Sequence, residues 1–135
     1  MNWAYLILSF LVVGGISACA EKKHGNLSQY QWKNRIILTY PSSEEDWKKQ
    51  LQSMQATKNE IDDRDLLILR LDQALDQFSN KERFALIKKY KLTPGTHVLI
   101  GKDGFEKSRQ KGVLNLEPYF KLIDTMPMRK KEMNR

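Results

Sequence analysis

Three short apolar runs separated by amphipathic stretches constrain this chain more than any other feature of its sequence. Arg35-Ile36-Ile37-Leu38-Thr39-Tyr40 is β-branched and aromatic and is closed by Pro41, which predicts a buried strand. Leu66-Leu67-Ile68-Leu69-Arg70-Leu71 is leucine-rich, but Asp62-Asp63-Arg64-Asp65 and Asp72 bound it too tightly for a helix, so it reads as a second strand. His97-Val98-Leu99-Ile100 is a third, placed just after the breaker Thr93-Pro94-Gly95.

Between these runs the hydrophobic period changes to that of a helix. Ser42 with Glu45, or Ser43 with Asp46, offers a capping box, and acids suit the positive end of a helix. Trp47, Leu51 and Met54 then share one face down to about Lys58. Ser79 with Glu82 starts a second helix, with Phe84, Ile87 and Tyr90 expected on its apolar face. Lys102-Asp103-Gly104-Phe105 predicts a two-residue hairpin of type I′, with Phe105 to Arg109 as the returning strand. Asn115 caps a last helix lined by Leu116, Tyr119, Phe120 and Ile123, and Pro118 is tolerated in its first turn.

The resulting order, β-α-β-α-β-β-α, predicts an α/β domain with a mixed sheet and helices on both faces. It is the element order of a thioredoxin-like fold, assigned here to residues 32–125. A chain of 135 residues suffices for one such domain. Residues 126–135, with Arg129, Lys130 and Lys131, read as a basic C-terminal tail.

The first residues have a different character. Trp3 to Ala20 holds no charged residue, and small residues Gly14-Gly15-Ile16-Ser17-Ala18 precede Cys19. An apolar core of this length ending in small residues reads as a secretory leader over residues 1–18. Ile16-Ser17-Ala18-Cys19 resembles the lipobox of bacterial lipoproteins. That resemblance implies diacylglycerol on the Cys19 thiol, leader removal at that point and a polar tether over residues 19–31. Acylation at more than one position gives stable anchoring, and Ala20 favours an outer-membrane lipoprotein facing the periplasm. Met1-Asn2 supplies no Lys or Arg, while Lys22 and Lys23 follow the apolar segment, so a cleaved secreted form and an uncleaved anchor stay open.

Gln31-Trp32-Lys33-Asn34-Arg35, Asp63-Arg64-Asp65-Leu66, Gly101-Lys102-Asp103-Gly104 and Ile123-Asp124-Thr125-Met126-Pro127-Met128-Arg129 together resemble the P-DUDES family. This is a thioredoxin-like domain of bacterial envelope proteins and of secreted vertebrate matrix proteins. The resemblance spans about residues 30–133 and implies the same fold, an extracytoplasmic setting and no catalytic residue to carry over.

In a thioredoxin fold the reactive thiol sits where the first strand meets the first helix, because helix amides favour the thiolate. Here that stretch is Tyr40-Pro41-Ser42-Ser43, and the chain's one cysteine is Cys19. Dithiol exchange and a peroxidatic thiolate are therefore excluded from the fold. Ser42 and Ser43 read as helix caps, since a nucleophilic hydroxyl needs a positioned base. Glu44, Glu45 and Asp46 disfavour an external anion at the same helix end. Pro94 stands where redox relatives hold a cis-proline, and either isomer is open.

The Asp62–Asp65 run lacks the spacing and glycine of a calcium loop, and His24 and His97 are too separated for a zinc site. No metal and no cofactor are expected. The formal charge of +7 makes anionic lipid or an anionic polymer a candidate partner. Nucleic acid is not expected, because most aromatics fall on predicted core faces. The reading is a non-catalytic binding or structural module of the cell envelope, with another envelope protein or an anionic polymer as partner. Its alternative is a cysteine-independent or partner-assisted oxidoreductase.

Overall fold

A computed structural model describes residues 26–135. The leader, Cys19 and the tether as far as residue 25 lie outside the described residues. From residue 26 the supposed tether is already part of the fold. Asn26 caps a 3-10 turn, Leu27–Tyr30, and its Leu27 and Tyr30 pack against the core. Those two apolar residues, three apart in a polar string, meet on one side of a turn.

The strands are β1 (Arg35–Tyr40), β2 (Leu66–Arg70), β3 (Thr96–Ile100) and β4 (Glu106–Lys111). They form one sheet in the order β2-β1-β3-β4. β1 runs parallel to β2 and antiparallel to β3, and β3 runs antiparallel to β4. The helices are α1 (Glu44–Ala56), α2 (Lys58–Asp63), α3 (Asn80–Lys89), α4 (Leu116–Asp124) and α5 (Pro127–Met133). This is the mixed α/β sheet of a thioredoxin-like fold.

Strand alternation divides the core in two. Ile36, Leu38, Val98 and Ile100 face one cluster with Leu86 of α3 and Tyr90 at its C-terminal cap. Ile37 and Leu99 face the other with Leu116, Tyr119, Phe120 and Ile123 of α4, where Met54 and Ile61 also pack. β1 is thus covered on both faces.

Local signals act largely as the sequence implies. Ser43 accepts from the Asp46 amide at 3.2 Å, choosing between the two offered caps. Ser79 and Glu82 form the full reciprocal box, with bonds of 3.2 and 2.8 Å. Asn115 accepts from the Glu117 amide at 3.2 Å.

Three expectations need correction. Of the face expected for α3, Ile87 and Tyr90 pack against the core, with Leu86 beside them, but Phe84 is 58% exposed. Arg83 donates to the Leu71 carbonyl at 2.8 Å and lies 4.5 Å over the Phe84 ring, covering it at the surface. The hairpin is not type I′. Only Gly104 (φ 86) takes a positive φ there, the Gly104 amide donates to Gly101 O, and the Gly101 amide donates to Phe105 O. That is a three-residue turn with a glycine bulge. Asp103 stabilises it by accepting from the Phe105 amide at 3.1 Å.

The third correction concerns the basic tail. Residues 127–133 form α5, whose Arg129 is 4% exposed. Arg129 pairs with Asp63 and, at 3.1 Å, with Asp124. Glu132 accepts from Arg35 at 3.1 Å and from Lys102 at 2.5 Å, and Lys102 also reaches Asp65 at 2.8 Å. Burial alone would raise the Glu132 carboxyl, but its bonds to Lys102 and Arg35 hold it below its ordinary pKa. The same balance depresses Asp124, through Arg64 and Arg129. α5 therefore closes the end of the sheet where β1 starts; Lys130 and Lys131 stay exposed on it.

Deleting residues 126–135 leaves Arg35 buried without its carboxylate, so stability falls by about 3 kcal/mol or more. A lowered urea midpoint checks this; an unchanged midpoint would mean that the segment is a tail after all.

Candidate functional site

The corner between β1 and α1 stands at the C-terminal end of the central strand. Pro41 is buried, Tyr40 is half-buried against the core, and Ser42 and Ser43 are exposed. Pro94 comes beside them through a turn over Thr93–Thr96. The Thr96 amide donates to Thr93 O at 2.9 Å, Pro94 occupies the second position and Gly95 the third with φ 83. Proline and glycine in those places specify a type II turn. The Thr93–Pro94 bond is trans, as no cis peptide occurs among the described residues. The Gly95 amide donates to Tyr40 O at 2.7 Å, tying turn to corner. A side chain at Gly95 would meet Ser42 Oγ at 2.7 Å, so glycine here admits both the turn and the close approach. The structure thus brings Tyr40, Pro41, Ser42, Ser43 and Pro94 together.

Beneath the corner lies a polar cluster that sequence reading did not assign. Thr39 and His97 are cross-strand partners on β1 and β3, and both are fully buried. Thr39 Oγ1 lies 2.7 Å from His97 Nδ1 and 3.3 Å from the Gln50 side-chain amide of α1. His97 Nε2 lies 2.6 Å from Gly112 O, and the Tyr119 hydroxyl donates to His97 O at 3.0 Å. A carbonyl only accepts, so Nε2 carries the proton and the neutral ring accepts from Thr39 at Nδ1. Gln50 Nε2, otherwise without a partner, satisfies Thr39 Oγ1 once the amide is turned over. Burial pushes the His97 pKa below its ordinary 6.5, which agrees with a neutral ring. Burial likewise raises the Tyr119 phenol. A polar Gln50 on the face of Trp47, Leu51 and Met54 was the one sequence signal for this cluster.

The charge at the helix start is also internally matched. Arg70 of β2 holds Asp72 at 2.6 Å, binds Glu44 at the first turn of α1 and lies 4.8 Å over the Trp47 ring. Its hydrogen bond to Asp72 outweighs burial and raises the guanidinium pKa. Ser43 occupies an amide of the same turn.

These contacts define what the site can do. His97, the only histidine among the described residues, has both ring nitrogens engaged, so Ser42 and Ser43 have no free imidazole to activate them. Among the described residues no group of three or more His, Cys, Asp or Glu is placed to hold a metal. The Asp62–Asp65 carboxylates are dispersed instead: Asp63 pairs with Arg129, Asp65 with Lys102, and Asp62 with Lys58 at 2.5 Å. What remains is an exposed, hydroxyl- and proline-lined corner on a rigid base. Arg129 lies at the opposite end of the sheet, in the ion network with Asp63 and Asp124.

The His97 environment has a pH signature. Below about pH 6.5 the unfolded chain takes up an imidazole proton that the folded chain refuses, so stability present above that pH is lost as pH falls. Urea midpoints should drop between pH 7.5 and 5.5 and do so less in His97→Gln. Equal slopes would show that His97 protonates freely in the fold.

No curated protein and no solved structure matches this chain. A family model described as a domain of unknown function, DUF4174, matches residues 26–132, the span that holds both core clusters, the corner and most of α5. The chain belongs to the DUF4174 domain family.

Proposed function

We propose that this protein is a non-catalytic thioredoxin-like module of the bacterial cell envelope, tethered by lipid at Cys19, which binds an envelope protein through the Tyr40–Ser43 and Pro94 corner. The observation that carries the reading is an exposed corner in the fold's usual functional place whose cap, carboxylate and imidazole are engaged from within, while the Ser42 hydroxyl stays exposed. Ser43 is a cap, Glu44 is matched by Arg70, and His97 is sealed beneath. A surface so arranged offers shape and a few hydrogen-bonding groups to a partner, and its serines have no free imidazole beside them among the described residues. The P-DUDES resemblance, carried by the Trp32-Lys33-Asn34-Arg35 opening and the Met126-Pro127-Met128-Arg129 ending, supports the extracytoplasmic setting. The small residues before Cys19 support the lipid tether and the outer-membrane, periplasm-facing placement. The net charge of +7 makes an anionic polymer the alternative partner, to be separated by salt.

Palmitate should label the full chain and fail to label Cys19→Ser. The purified full chain should match a blank in insulin disulfide reduction and in peroxide turnover. In pull-downs from native membranes, a partner retained at high salt should be lost on Ser42→Arg with Pro94→Arg, at an unchanged urea midpoint. Retention by that variant, or turnover above the blank, would overturn the reading.

A further inference from the structure

The end of the sheet opposite the corner carries large side chains that the core does not need. Trp32 is 62% exposed with φ 66, a backbone conformation unfavourable for a bulky residue. Its amide donates to Lys102 O at 2.7 Å, and Gln31 Nε2 donates to Asp103 O at 3.0 Å, so Trp32 is pinned against the hairpin. At the hairpin Phe105 is 70% exposed, and the Lys107 ammonium lies 6.0 Å from its ring. Met128, at the start of α5, lines a small hollow with Lys102, Asp103 and Lys107. Trp32, Phe105 and Met128 therefore surround one hairpin tip.

Charge at this end is uneven. Asp65, Asp103, Glu106 and Glu132 are held by Lys102, Lys107, Arg109 and Arg35. Lys33, Lys130 and Lys131 are exposed and make no ion pair among the described residues. The chain also arrives here. Asn26 and Leu27 line a hollow of about 470 Å³ together with Gly104 and Phe105. Cys19 stands seven residues before Asn26, a reach of at most about 25 Å.

We propose that this end is a membrane-docking face. Trp32 and Phe105 enter the headgroup layer of an anionic phospholipid bilayer while Lys33, Lys130 and Lys131 pair with lipid phosphates. An indole, apolar with one polar N–H, favours that layer, the Phe105 ring adds apolar area that can bury beside it, and lysines near it are drawn by its surface charge. The strained Trp32 backbone is then explained as the means of aiming an indole outward. The proposal deepens the tethered-module reading and rests on it for the position of the bilayer. It fixes an orientation: β1 spans about 20 Å, so the corner is presented that far from the lipid.

The test uses the full chain in nanodiscs containing phosphatidylglycerol and a headgroup-spin-labelled lipid. One variant keeps Trp32 alone (Trp3→Phe, Trp47→Phe), and another keeps Trp47 alone (Trp3→Phe, Trp32→Phe). Trp32 emission should be quenched severalfold more than Trp47 emission. Lys130→Glu with Lys131→Glu, or discs of phosphatidylcholine alone, should relieve that quenching while the chain stays disc-bound. Disc-bound protein with Trp32 unquenched, or with both tryptophans quenched equally, overturns the face and leaves the tether standing. Protein that leaves the discs defeats the tether, and the same comparison on free anionic vesicles then decides the face. Unquenched Trp32 whose emission shifts blue on adding envelope extract would assign the face to a protein and sink the lipid proposal.

Discussion

The burial of β1 on both faces and at both ends is the constraint on which the rest of the structure depends. Ile36 and Leu38 point into one core cluster, and Ile37 into the other. Arg35 at its start meets Glu132, and Thr39 near its end meets His97 and Gln50. A slip of one residue would send the Thr39 hydroxyl into an apolar cluster and bring Leu38 against the histidine. Register is therefore specified by polar contacts as well as apolar ones. Once it is set, the corner has only one position relative to the Pro94 turn.

The two ends of β1 use different chemistry. At its start, carboxylates and cations from β1, the end of α2 and the loop after it, the hairpin and α5 neutralise one another. A buried ion pair adds little relative to an apolar replacement, but losing one member leaves a charge stranded. The network therefore acts mainly to fix where α5 sits. At the other end the fully buried groups are neutral, threonine, imidazole and amide, sealed beneath a turn whose proline and glycine set its shape, with Arg70 matched to Asp72 and Glu44 beside them. Beneath that corner Thr39 and both His97 ring nitrogens are engaged with one another, Gln50 and Gly112, so these groups face inward and the exposed surface is left to the serines and Pro94.

The strands and helix starts were legible because their signals are local. Pro41 stops β1, Ser79 and Glu82 box α3, and the face of Leu116, Tyr119, Phe120 and Ile123 is the one that α4 buries. The corner was also legible, since it follows from the element order. What could not be read depends on partners distant in the chain. Arg129 resembles its solvated neighbours Lys130 and Lys131 until Asp63, sixty-six positions away, is folded beside it. Phe84 lies at the surface under Arg83, which reaches back to Leu71, twelve positions earlier. Thr39, Gln50 and His97 become a cluster only when β1 pairs with β3 and α1 crosses them. Asp103-Gly104 suits two kinds of tight turn equally, and the Phe105 amide decides between them.

On the reading proposed above the binding corner is prebuilt, standing on a strand, buried on both faces, that should open only with the whole domain. Native-state amide exchange of the full chain, followed across urea concentrations below the unfolding midpoint, measures that directly. The account predicts that the Leu38, Thr39 and His97 amides exchange only through global unfolding, with the same free energy and urea dependence as Leu99. Exchange of Thr39 and His97 through a separate, lower-energy opening, with Leu99 still protected, would contradict it.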